Sequence, residues 1–120
     1  MGRKKTGEDG ERRASEYLAG CGYAIVARNW RTRYGEIDII ASKDDVLVFV
    51  EVKTLPNGTR DMLVKELGPA KRRRILKTSK CFLINHRQYN DSCIRFDVIV
   101  VDMPDFPPVY HIENAFSEPL

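Results

Sequence analysis

The first apolar positions of the chain recur at helical spacing. Ala14 and Leu18 stand one turn apart, Cys21 continues their line and Tyr17 lies beside it, so residues 7–19 are predicted to form a helix that Gly20 and Gly22 bring to a stop. The period then shortens. Residues 23–31, 35–40 and 46–53 are rich in Val, Ile, Phe and Trp, free of Pro, and separated by the turn-forming stretches 32–35 and 42–45, which predicts three consecutive strands. Residues 54–68 are polar and contain Pro56, Asn57 and Gly58, so they read as a loop. Pro69 suits the first turn of a second helix over residues 69–85, with Ile75, Leu76, Phe82 and Leu83 on one face and Ser79 between them. Residues 94–101 alternate little and predict a central strand, and residues 109–113 an edge strand after the Pro-rich turn 103–108. The order α-β-β-β-α-β, with a last β, implies an α/β or α+β fold with a mixed sheet flanked by helices.

Against that pattern, three charges sit where a core strand should be apolar. Asp38 lies inside the second strand, and Glu51 and Lys53 close the third. An ionised group taken from water without a partner is costly, so charges in such strands suggest a metal-dependent phosphodiesterase site. If the hairpin turn is centred on Asp44 and Asp45, Lys43 pairs with Val46, Asp38 faces Glu51, and Glu36 faces Lys53. Facing side chains on one sheet surface are about 5 Å apart, where two carboxylates repel by roughly 3 kcal/mol at an effective dielectric of about 20. A bridging divalent cation or a bound proton would relieve that repulsion. A three-residue or bulged turn would instead put the acids on opposite faces.

Carrying the first helix's stripe one step back places Glu11 on the buried face, near the expected helix start, where a carboxylate gains from the backbone dipole. Taken alone, a first-turn acid that only stabilises its helix is the plainer reading. Asp97 is the one acid in the central strand, a helper ligand or the partner of Arg95 or Arg74. Trp30 is expected in the core. His86 and His111 read as surface or loop residues.

Composition narrows the class. At 120 residues the chain has the length of one domain, and 42% hydrophobic with 31% charged residues fits a soluble globular protein. No apolar run approaches the roughly 20 residues that span a bilayer, and the basic start leads into no signal-like segment, so a cytoplasmic protein without membrane contact is expected. Cys21, Cys81 and Cys93 form neither a zinc nor a disulfide pattern. Net charge is only +3, so the distribution of the basic residues matters more than their sum. They cluster at residues 3–5 and 12–13, at Arg28, Arg31 and Arg33, and along the second helix at Lys71, Arg73, Arg74, Lys77 and Lys80. Arg73, Lys77 and Lys80 lie opposite the apolar face, with Arg74 at its edge, a plausible track for a phosphate backbone.

Several of these segments together resemble a known family. Gly10-Glu11 with Ala14, Tyr17 and Leu18, then Gly22-Tyr23, Arg28-Asn29-Trp30-Arg31, Gly35-Glu36-Ile37-Asp38 and Val48-Phe49-Val50-Glu51-Val52-Lys53-Thr54 are similar in order and spacing to the YraN-like family of small bacterial proteins. The likeness continues through Pro69 and Lys71, Arg95-Phe96-Asp97-Val98 and Asn114-Ala115-Phe116. That family is similar in turn to the archaeal Holliday-junction resolvases of the PD-(D/E)xK nuclease superfamily. The resemblance implies a restriction-endonuclease-like core, Glu11, Asp38 and Glu51 as ligands of Mg2+ or Mn2+, and Lys53 as the catalytic cation. Glu36 would support the site, by holding Lys53 or acting through water. Ile37 stands where the superfamily's name has Pro, and Leu55 where relatives commonly carry a basic residue.

The expectation is therefore a metal-dependent nuclease acting on nucleic acid, DNA before RNA and branched DNA among its substrates. The alternative is a non-catalytic nucleic-acid-binding module of the same fold, and a third reading treats the charges as internal salt bridges. Resolvase-like relatives work as dimers, and two-fold pairing is the default for such a protein. Phe106 and Phe116 are the candidate exposed apolar residues for such a face.

Overall fold

A computed structural model describes the backbone of residues 3–117 and the side chains of residues 7–117. The basic side chains of residues 3–5 and the tail 118–120 lie outside the described residues. The elements run α1 (Arg3–Gly20), β1 (Ala24–Thr32), β2 (Gly35–Lys43), β3 (Val46–Thr54), α2 (Arg60–Glu66), α3 (Pro69–Asn85), β4 (Cys93–Val101) and β5 (Val109–Phe116). The strands form one sheet in the order β1-β2-β3-β4-β5. β3 and β4 are parallel and every other neighbouring pair is antiparallel, so this is the mixed sheet of an α+β fold with the expected α-β-β-β-α-β order. A parallel pair needs a crossover, and α2 and α3 supply it. No helix among the described residues is long and apolar enough to cross a membrane.

Each face of the sheet buries its own cluster. Phe49 of β3 and Phe82 of α3 sit at the centre of one. Phe49 stacks on Phe96 at 5.7 Å between ring centroids, Phe96 on Phe116 at 5.3 Å, and Trp30 meets Phe82 edge-on at 5.3 Å. Ala14 and Leu18 of α1 close the other, over Ile39, Val48, Val50 and Ile99.

Several expectations need correction. Residues 54–68 are not a continuous loop: Thr59 caps α2 by accepting a hydrogen bond from the Met62 N–H, and Leu63 is buried. The capping Thr and the single apolar anchor of a seven-residue helix are too short a pattern to show periodicity. α1 begins at Arg3 rather than near residue 7, so Glu11 lies in mid-helix and gains nothing from a helix start. Cys21 is exposed because the helix ends at Gly20, before the stripe reaches it. Phe116 is buried against Phe96 and offers no exposed face, while Phe106 is half-buried on Tyr110. Trp30 packs on the core but is half-buried rather than fully enclosed.

His111 departs furthest from its reading, for its side chain is 6% exposed and its Nε2 lies 2.7 Å from Asp97 Oδ2. Asp97, fully buried, also accepts two hydrogen bonds from Arg95 at 2.9 and 2.8 Å and one from the Asn114 N–H at 2.9 Å. The β4–β5 register shifts between Phe96 and Val98, and Asn114 has a positive φ of 53°. Asp97 is thus an Arg95 partner, as one of the two expected roles had it, and it pins this bulge.

Candidate active site

The hairpin has the two-residue turn. Lys43 pairs with Val46, and the β2–β3 ladder runs from there to Ile39 opposite Val50. It ends at that pair, one step short of Asp38 and Glu51. In place of a backbone carbonyl, Asp38 Oδ2 accepts the Val52 N–H at 2.8 Å. The acid has been drawn into the sheet by taking over a ladder hydrogen bond.

A second irregularity lies on the other side of β2. Trp30 pairs with Ile37 and Arg28 with Ile39, leaving Asn29 across from Asp38, and Asn29 has a positive φ of 52°. In a regular strand Ile37 and Ile39 would share a face. Here Ile37 joins the cluster under α3 while Ile39 joins the cluster under α1. The alternation slips at Asp38, which turns the acidic end of β2 toward α1.

α1 meets it there. Gly10 is buried, and a Cβ at that position would collide with the Thr54 hydroxyl, so the glycine lets the helix lie close over the end of β3. The next residue is Glu11. With the Asn29 amide oriented so that its nitrogen faces the two carboxylates, it donates to Glu11 Oε1 at 2.9 Å and to Glu36 Oε1 at 2.8 Å. Glu36 is also 3.5 Å from Arg31 Nε. It does not face Lys53 as expected, because the strands have parted before that register is reached.

Glu51 is 6% exposed, with Lys53 Nζ at 3.5 Å and Lys71 Nζ at 3.4 Å from its Oε1. Lys53 lies 3.9 Å from Glu66 Oε2 on the other side. Lys71, read from sequence as a phosphate contact, thus begins α3 at the acidic centre. Glu11, Thr54, Asn57 and Glu66 border a cavity of about 600 Å³ beside these groups.

Electrostatics mark Asp38 most strongly. Burial, then the charge of Glu51, and further the charges of Glu11 and Glu36 push its carboxyl up to about 8, against the lowering effect of the Val52 N–H. Glu11 is raised as well, by burial first and by Glu36 next, with Asn29 and Arg28 opposing. A crowd of carboxylates that retains a proton near neutrality has donor chemistry that fits a hard divalent cation, an all-oxygen set. No group of three His, Cys, Asp or Glu side chains among the described residues stands close enough to hold one ion as placed. The site therefore brings the residues into one neighbourhood without closing them into a coordination shell.

Of the residues predicted from sequence, Glu11, Glu36, Asp38, Glu51 and Lys53 gather here, with Arg31 at the rim and Lys71 inside. Arg73, Arg74, Lys77 and Lys80 lie further along α3. Asn29 and Glu66 were missed. Asn29 could have been suspected from its place beside Arg28 and Trp30 in the quoted motif, whereas Glu66 sits on a helix whose pattern gave no signal.

The chain is an α+β protein whose mixed sheet gathers carboxylates and lysines at one end, where two of its strands part. The match to known proteins runs the same way: residues 10–101 fit the model of the uncharacterised protein family UPF0102, and the chain belongs to that family. Similar members are a UPF0102 protein of Treponema pallidum (strain Nichols), 45% identical over 96% of this chain and 94% of its own length, and one of Treponema denticola, 43% identical over 93% and 95%. A third, from Alkaliphilus oremlandii, is 42% identical over 94% of this chain and 98% of its own. This is the family that the sequence motifs resembled.

Proposed function

We propose that this protein is a cytoplasmic, metal-dependent nuclease that hydrolyses phosphodiester bonds in nucleic acid, DNA before RNA. The observation that carries this reading is the crowding of Asp38, Glu51, Glu11 and Glu36 strongly enough to lift Asp38 to about 8, beside the pair of half-buried Lys53 with buried Glu51. Such a cluster weakens the fold and is best understood as serving chemistry.

Asp38 and Glu51, with Glu11, would hold Mg2+ or Mn2+, which supplies charge neutralisation at the phosphate and acidifies water. The protein's own groups do the rest. Lys53, held between Glu51 and Glu66, presents an ammonium to the phosphate oxygens on which charge grows as water attacks phosphorus and the leaving oxygen departs. Asn29 fixes Glu11 and Glu36 relative to each other, so the acid from α1 stays in register with the acids of the sheet. Lys71 ties the start of α3 to Glu51.

One observation favours the second reading, a binding module without turnover: Glu51 is already paired with two ammonium groups. Cleavage of labelled duplex, single-stranded and four-way-junction DNA, and of matched RNA, in Mn2+, Mg2+ and EDTA separates the two. The nuclease reading expects cutting that EDTA abolishes and that an Asp38→Asn, Glu51→Gln double variant lacks. Salt-sensitive binding with no cutting in any metal would instead support the binding module. Cutting that persists in the double variant would sink the assigned site.

A further inference from the structure

A second groove runs along α3, apart from the acidic centre. It has a volume of about 760 Å³ and is bordered by Arg73, Arg74, Leu76, Lys77 and Lys80 of the helix and by Tyr34 from the turn between β1 and β2. Tyr34 is half-buried, and cations attend its ring: Lys77 Nζ lies 4.8 Å from the ring centroid and the Arg33 guanidinium 5.0 Å. Arg33 Nη2 also donates to Tyr34 Oη at 2.8 Å. The turn that carries the ring is fixed. Tyr34 N–H donates to Thr32 Oγ1 at 3.1 Å, and Gly35 lets the turn lie so close on α3 that an added Cβ would sit 3.3 Å from Thr78 Oγ1.

From this arrangement we infer that the Tyr34 groove binds an unpaired stretch of nucleic acid, with a base stacked at Tyr34 and phosphates along Arg73, Arg74 and Lys77. The inference rests on the nucleic-acid reading above and names the form of the strand. A fixed aromatic ring beside a row of cations is the combination by which single strands are held without regard to sequence. In a duplex the base faces are stacked inside and cannot reach a ring. The groove also falls in the range of roughly 300–1,000 Å³ that encloses one small ligand, which suits a nucleotide or two.

Its position links it to the acids. Lys71, which touches Glu51, and Lys77, which touches Tyr34, lie six residues apart on α3, about 9 Å along the axis. A strand whose base rests at Tyr34 and which follows α3 back toward its first turn would therefore run toward the acidic centre.

The test is binding, measured in EDTA so that no cleavage intervenes. Fluorescence anisotropy would compare a labelled oligothymidine strand, the same strand with abasic positions, and a duplex, for the unaltered protein and for Tyr34→Ala, Tyr34→Phe and Lys77→Ala. The expected result is tight binding of the oligothymidine, weakened about fivefold to 150-fold by Tyr34→Ala, as the loss of one stacked base implies, and kept by Tyr34→Phe. The abasic strand should bind weakly and be indifferent to Tyr34→Ala, while Lys77→Ala weakens all probes and lowers the salt dependence. Equal binding of the abasic and intact strands by the unaltered protein would overturn the inference without any variant. So would a duplex bound as well as the single strand, or a folded Tyr34→Ala protein with unchanged affinity. In those cases the nuclease reading survives. If no nucleic acid binds in EDTA, the inference falls, and the nuclease reading is judged separately by the metal-dependent cleavage assay.

Discussion

Replacing Asp38 by Asn should make the metal-free protein more stable at mildly alkaline pH. The Asp38 carboxyl, with an ordinary value of 3.8, stands at about 8 in the folded chain. A raised value means that the folded state holds a proton the unfolded chain has released. The stability this contributes is fully present below the unfolded value and is lost as pH rises through the folded one. Between about pH 5 and about pH 8 the unfolded carboxyl is ionised throughout, while the folded one is protonated until near the upper end. Integrating that difference at 1.36 kcal/mol per unit gives a loss on the order of 3 to 4 kcal/mol over the window. Asn cannot ionise, yet its amide oxygen can still accept the Val52 N–H that Asp38 Oδ2 accepts.

Urea unfolding in EDTA at several pH values from about 5 to about 8 measures this directly. The unaltered protein should lose stability steeply across the window, and Asp38→Asn should lose far less. Histidines and other titrating groups are common to both proteins, so the difference between the two profiles isolates the site. Parallel profiles, or an Asn variant that is the less stable of the two near pH 8, would show that Asp38 is not crowded in the way described.

Three further outcomes follow, one at the acidic centre and two at Asp97. If a divalent cation binds at Asp38 as proposed, it competes there with a proton, so Mn2+ or Mg2+ should raise the melting temperature more at about pH 8 than at about pH 6, and not at all in the Asp38→Asn, Glu51→Gln protein; a thermal-shift series with and without EDTA reads this out. Asp97→Ala should cost about 3–5 kcal/mol in urea unfolding, since it strands Arg95 and His111 beside an empty position, and Asp97→Asn should move the acid-unfolding midpoint to higher pH because a contribution present above the ordinary carboxylate range has been removed.

Much of this was legible in the chain because it depended on local rules. The apolar runs of β2 and β3 and the short turn at Asp44 and Asp45 set the pairing of Lys43 with Val46, and that pairing brought Asp38 and Glu51 to adjoining strands. Pro69 marked the start of α3, and the helix ends at Asn85 as read. The failures were non-local. Glu36 was assigned to Lys53 by extending a regular ladder, yet the ladder ends where the Asp38 side chain replaces a carbonyl, and Asn29 in a left-handed conformation turns the strand. His111 was read as a surface residue because nothing in its neighbours along the chain indicates that β5 lies against the buried Asp97. Asn29 carries no charge, so its part in joining Glu11 and Glu36 has no signature in composition or period.

The two acids inside this sheet separate architecture from function more sharply than any motif. Both are enclosed by strands, so burial raises both. At Asp97 the hydrogen bonds of His111, Arg95 and the Asn114 N–H outweigh burial and hold the carboxyl below its ordinary range. Every lone pair it could offer is engaged, and the β4–β5 bulge depends on it. At Asp38 a single backbone N–H is set against burial and three other acids, and the carboxyl rises to about 8. A fold that can satisfy one buried acid so completely has no structural need to leave another so poorly compensated. The unrelieved charge lies beside a cavity, at the ends of strands that have parted, with Lys53 and Lys71 at hand. Under the proposed nuclease reading, divalent cations brought with a polyanion would supply the compensation missing there, which is why the site is read as chemistry and Asp97 as scaffold.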